Sequence, residues 1–198
     1  MIEAHADVRG FFHERLNAAL DRHRHRAAEP TQVYLVHLLA DVAETQDAVL
    51  LDRPLALQLA DAMEVSGRER LRRCRVLGDT SLAVGGLFVE QLDRRGVTLE
   101  YVASLGGRGY RTASDLARFD GAGGAMLSFV CDDLATNFGL YLRVLDDVKE
   151  STALRTPQDI VRLYERWRRG GSLAIAERLQ GAGVFPQVEA LLGRRGLH

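Results

Sequence analysis

Two pairs of adjacent aspartates, Asp132–Asp133 and Asp146–Asp147, are the residues of this chain most suggestive of chemistry. Paired carboxylates can hold magnesium through their hard oxygen ligands. Both pairs fall in one long helical stretch, and the fourteen residues between them correspond to ~21 Å along a helix axis. That is too far for one metal cluster. Arg143 and Asp147, four apart, are instead expected to pair on a solvated face.

The six histidines are His5, His13, His23, His25, His37 and His198. None sits in the Glu-x-x-His or His-Glu-x-x-His spacing of di-iron or zinc sites. His37 and Asp41 share a helix face at i and i+4, a two-ligand candidate for a metal, but no third ligand is legible. His37 also lies on an apolar stripe, which predicts a buried, hydrogen-bonded ring. His23 and His25 belong to the run "RHRHR", read as a basic solvated face. Cys74 sits in "RRCR", where neighbouring arginines would favour the thiolate, so it is a candidate redox thiol. Cys131 reads as a core position. The chain has no Gly-Lys pair for a phosphate loop and no G-x-S-x-G elbow, and Lys149 is its only lysine. No catalytic constellation and no cofactor are expected.

Two stretches suggest binding. In "LYERWRRGG" Tyr164 and Trp167 are three apart beside Arg166 and Arg168, a candidate partner surface whose alternative is an amphipathic helix with Trp167 in the core. In "SLGGRGY" three glycines within four residues predict a turn. With its flanks this gives a helix-turn-helix pattern over 98–118, which would place Arg108, Arg111 and Thr112 at the start of a DNA-contacting helix.

The elements that would carry these residues are helices. Apolar residues recur at helical spacing within 6–27, and Pro30 suits the first turn of a second helix. Asp52 and Pro54 suit a third, "SGRE" at Ser66–Glu69 is a capping box for a fourth, and Asp79 or Thr80 can cap a fifth that Gly96 stops. Thr98 can cap a sixth. The stretch from Gly124 to Glu150 predicts one long helix, with Met126, Phe129, Val130 and Leu134 on its apolar stripe. "TPQD" at Thr156–Asp159 opens another, and a last short helix is expected over 172–179. The fold class is therefore all-α: a single-domain bundle of about eight helices spanning 1–198, with a flexible joint expected at 118–125.

With Leu77–Leu92 placed on a helix, Gly78, Ser81, Gly85 and Gly86 form a shallow groove between large apolar side chains. Each glycine costs about 1 kcal/mol against alanine in a helix, so close approach should compensate. A neighbouring helix of the same chain, the same helix of a second subunit, a flat ligand, or a break at Gly85–Gly86 would each account for it.

At 46% hydrophobic and 27% charged residues with a net charge of −1, the composition is that of a globular protein rather than a general polyanion binder. The longest apolar run, Leu82–Val89, is far short of the ~20 residues a membrane helix needs, and the first residues do not form a signal peptide. A cytoplasmic location is expected. The leading functional expectation is a non-enzymatic, homodimeric protein-interaction or regulatory module. The alternatives are the helix-turn-helix DNA binder and a small-molecule or haem-binding protein, with the Gly85–Gly86 groove as pocket and His37 as ligand.

Overall fold

A computed structural model describes residues 2–44, 53–151, 157–170, 175–176, 179–180 and 183–184. Among them the chain is all-α, with no strand and nine helices: α1 (Ile2–Arg22), α2 (Glu29–Glu44), α3 (Leu55–Glu64), α4 (Gly67–Leu87), α5 (Val89–Arg94), α6 (Leu99–Ala117), α7 (Gly121–Thr136), α8 (Phe138–Glu150) and α9 (Pro157–Gly170). No helix among the described residues is long and apolar enough to cross a membrane.

Helix α4 is the centre. It packs along α6, and also against α3 and α8, while α6 in turn carries α7. Helix α2 lies against α1, α9 and α7. One continuous apolar core joins residues of α1, α2, α4, α6, α7, α8 and α9, among them Phe12, Leu39, Leu82, Tyr110, Leu134, Leu145 and Trp167. Each such side chain contributes about 1.5–3 kcal/mol when fully buried. A smaller cluster of Leu55, Leu77, Val84, Leu92 and Val102 lies under α3 and the start of α6.

Several local signals work as read. Pro30 lies in the first turn of α2. The Thr98 hydroxyl accepts from the Tyr101 N–H at 3.2 Å and caps α6. Gly96 takes φ +66° just past α5, a left-handed conformation glycine adopts without steric cost. Others are overridden. Asp79 caps nothing: α4 runs unbroken through it, and the helix breaks later, at Phe88. The Ser66 side chain makes no cap hydrogen bond, and Glu69 turns to Arg72 and Arg73 instead. Those two guanidiniums hold the Glu69 carboxyl down at about 2, chiefly through their hydrogen bonds.

The long helix expected up to Glu150 is two, α7 and α8, separated at Asn137. The Asn137 N–H donates to the Asp133 carbonyl at 2.9 Å while its side-chain amide donates to the Asp133 carboxylate at 2.7 Å. An asparagine side chain engaged with nearby groups in this way competes with helix continuation. Met126 and Phe129 are half-exposed rather than on the core stripe. In the stretch expected as a joint, Arg118–Asp120 form a turn and α7 starts at Gly121, whose φ of +74° reverses the chain. Asp52, Thr156, His198 and most of 172–179 lie outside the described residues.

Candidate functional site

The glycines explain how the site is assembled. A methyl group on Gly78 would stand 2.6 Å from Tyr110 Cδ1, and one on Gly109 would stand 2.7 Å from the Cys74 carbonyl oxygen. A methyl on Gly106 would meet Phe138 and Ser81, one on Gly85 would lie 2.7 Å from Leu142 Cδ2, and one on Gly86 would lie 2.6 Å from Leu145 Cβ. The small residues of α4 and α6 therefore face each other, backbone to backbone, with α8 closing over Gly85 and Gly86. The groove of Gly78, Ser81, Gly85 and Gly86 is approached by helices of the same chain, and all four positions are buried.

The same fact corrects "SLGGRGY". Gly106, Gly107 and Gly109 lie inside α6, which continues without a turn to Ala117. Contact with α4 outweighs the propensity cost of the glycines. The helix-turn-helix expected at 98–118 is absent. Arg108 is exposed in mid-helix, Thr112 is part-buried, and Arg111 is an ion-pair partner of Asp132 at 2.9 Å.

Because Gly78 has no side chain, the Tyr110 ring lies against α4 and its hydroxyl reaches the next residue, Asp79, donating to Oδ1 at 2.8 Å. Tyr34, from α2, donates to the same oxygen at 2.5 Å. Oδ2 has no hydrogen-bond partner among the described residues. Burial raises the Asp79 carboxyl above the ordinary carboxylate range, and Asp41 adds to this, while the two hydroxyls and Arg75 pull the other way. Tyr34 and Tyr110 are pushed well above the usual phenol range, first by burial and then by the Asp79 charge. The Cys131 thiol is raised to about 12 by burial and by Asp79.

Asp79 faces a cleft of about 540 Å³ between α2, α4 and α7. Its walls come from three helix faces. Tyr34, His37, Leu38 and Asp41 recur at the 3–4 spacing on α2; Gly123, Met126, Leu127 and Val130 repeat it on α7; and Arg75 and Asp79 stand one turn apart on α4. Arg75 makes no hydrogen bond or ion pair among the described residues, and its Nε is buried without a partner. A cleft of this size with apolar walls and a few convergent polar groups has the general form of a small-molecule site.

The remaining candidates separate. His37 and Asp41 do line this cleft, but His37 is exposed rather than buried, and no group of three metal-ligating side chains occurs among the described residues. His37 is also not at the Gly85–Gly86 groove; Gly85 borders a different cleft of about 400 Å³ with Leu99, Leu142 and Arg143. Cys74 is fully buried, and burial raises its thiol against the lowering influence of Arg70, the reverse of an activated thiolate. Tyr164 and Trp167 are buried and tilted against each other at 5.6 Å, so they are core rather than partner surface; Arg168 is exposed, and the Arg166 side chain lies outside the described ones. Asp147 pairs with Arg22 at 3.1 Å, not with Arg143. His23 and His25 follow the end of α1 rather than lying on it.

Asp133, the second aspartate of its pair, ties helices together. It accepts from Thr31 Oγ1 at 2.7 Å, Tyr141 OH at 2.9 Å and Asn137 Nδ2 at 2.7 Å, linking α2, α7 and α8.

The sequence reading found His37 and Asp41 but missed Tyr34, Arg75, Asp79 and Tyr110. The α2 residues were legible as one face. Arg75 and Asp79 were hidden by the false helix start at Asp79, and Tyr110 by the false turn. Comparisons with protein-family models, curated proteins and solved structures found no match for this chain.

Proposed function

We propose that this protein is a non-enzymatic binding module that takes a small organic molecule in the α2–α4–α7 cleft. The observation that carries the reading is the convergence of Tyr34, Arg75 and Asp79, with His37 and Asp41 nearby, on a largely apolar space of about 540 Å³. Native mass spectrometry of the purified protein, followed by thermal-shift screening of chemically diverse small molecules, tests it. A co-purified or added compound that raises the melting temperature, and loses that effect in Leu127→Glu, is the expected result. The proposal fails if no compound shifts the wild type.

A second reading, a homodimeric interaction or regulatory module, is supported by a different observation. Phe119, Met126 and Phe129 expose large apolar surface at the start of α7 and along it, Phe119 being 90% exposed. Groups of this kind mark association surfaces when they are contiguous. The same native mass spectra report subunit count, and a monomer at micromolar concentration would remove this reading. We place the protein in the cytoplasm; the two buried, unbridged cysteines, Cys74 and Cys131, support that choice.

A further inference from the structure

Four buried side-chain polar atoms lack a hydrogen-bond partner among the described residues: His23 Nε2, Arg70 Nε, Arg75 Nε and Ser81 Oγ. Two have another contact, and the third lies away from the cleft. His23 Nε2 lies 3.1 Å from the Asp147 carboxylate, Arg70 directs its Nη2 at Met63 Sδ, and Ser81 is enclosed in the α4–α6 seam. Arg75 has none, and it is the one that lines the cleft. A guanidinium is charged at every physiological pH and offers five N–H donors in a planar fork. Leaving such a donor buried and unmatched is costly, so an unmatched one in a native fold calls for an explanation.

We propose that Arg75 holds the carboxylate of an apolar monocarboxylic acid, whose hydrocarbon body lies along Val33, Leu38, Met126 and Leu127. This rests on the reading of the cleft as a small-molecule site and adds the chemistry of its ligand. A carboxylate matches the guanidinium fork with two parallel hydrogen bonds, which an alcohol or amide oxygen does not. The rest of the lining suits a hydrocarbon: Val33 and Met126 are half-exposed at the mouth, while Leu38 and Val130 are buried deeper.

The cleft's acids do not overturn the match. Both phenol donors converge on Asp79 Oδ1. Burial raises the Asp79 carboxyl above the ordinary range, which disfavours a full negative charge beside the ligand. Asp41 is exposed, and its field is screened by water and salt. A cationic ligand would have to sit beside Arg75 and would leave the guanidinium without an acceptor.

The test uses three probes with one hydrocarbon tail and different heads: octanoate, octan-1-ol and octylammonium. Each is titrated into full-length protein carrying ¹³C-methyl methionine. Met126 lines the cleft and Met63 does not, so their methyl resonances separate cleft binding from binding elsewhere. Octanoate is expected to shift Met126 and to bind most tightly. Arg75→Met should weaken it by roughly tenfold or more, the scale of a charge-assisted hydrogen-bonded pair, and leave octan-1-ol nearly unchanged. Arg75→Lys, which keeps the charge without the fork, should fall between. Arg75 makes no hydrogen bond or ion pair among the described residues, so these variants are expected to fold; Val33→Glu at the half-exposed mouth gives an independent variant that should also repel octanoate.

If octanoate binds equally well to Arg75→Met, or if octylammonium binds more tightly than octanoate at Met126, the carboxylate assignment is wrong while the cleft remains a ligand site. If no probe moves Met126, the carboxylate assignment fails. Failure of the diverse compound screen as well removes the reading of the cleft itself.

Discussion

Asp79 and Asp133 invite comparison because each is a part-buried aspartate held by tyrosine, and yet they serve different ends. At Asp133 both oxygens are occupied: Oδ1 takes the Asn137 amide, and Oδ2 takes the Thr31 and Tyr141 hydroxyls. Three helices are joined, and nothing is left over. At Asp79 both tyrosines crowd onto Oδ1, Oδ2 is unengaged among the described residues, and an unpaired Arg75 stands one turn away beside an open cleft. A saturated polar cluster rigidifies a core, whereas an unsaturated one carries a cost that a bound partner can remove. Asp133 is a completed structural tie, whereas Asp79 keeps hydrogen-bonding capacity in reserve next to open space.

The largest expected effect comes from breaking the saturated cluster. Asp133→Ala strands the fully buried Thr31 hydroxyl and leaves the Tyr141 hydroxyl only its long contact with His25 Nε2, and should cost about 3 kcal/mol in urea unfolding. A loss below about 1 kcal/mol would mean that Asp133 is no more structural than Asp79.

Next is Gly78→Ala, which forces the Tyr110 ring off α4. It should cost about 2 kcal/mol, the scale of overpacking, against about 1 kcal/mol for Tyr110→Phe, which removes only the hydroxyl. Equal losses from the two variants would show that the hydrogen bond to Asp79, not the close approach, is what Gly78 protects.

A third test probes Asp79 by pH. The folded Asp79 carboxyl holds its proton more tightly than in the unfolded chain. Its contribution is therefore fully present below the unfolded value and is lost as pH rises through the raised folded value. Asp79→Asn, which keeps an oxygen for the two phenols, should gain in melting temperature relative to wild type as the pH is raised from about 4 to about 8. A constant difference across that range would contradict the burial argument.

The smallest effect is expected at the Lys149–Glu90 pair, 2.7 Å apart, where the Glu90 side chain is 66% exposed. The Lys149 hydrogen bond lowers the Glu90 carboxyl, so its stabilisation is present above the ordinary glutamate value and fades as pH falls through the lowered one. Glu90→Gln should cost less than about 1 kcal/mol at neutral pH and nothing in strong acid, the opposite pH trend to Asp79. A cost that persists in strong acid would show that something other than the ion pair is lost.

Much of this architecture follows from local patterning. Helical periodicity, Pro30, the Thr98 cap and Gly96 mark helices and their ends because those signals act within a few residues. The small residues at Gly78, Gly85 and Gly86 announce a close approach wherever the partner lies. Only the tertiary structure decides what approaches, since α6 and α8 meet α4 through residues far apart in sequence. That contact keeps α6 helical through "GGRG", against local propensity, and brings Tyr110 to Asp79. Packing of α9 against α2 likewise turns the aromatic pair Tyr164 and Trp167 inward, and Cys74 on α4 is buried. Propensity and charge act locally and can be read along the chain; burial, pairing and the incomplete hydrogen bonding of Arg75 arise only when distant helices share one space.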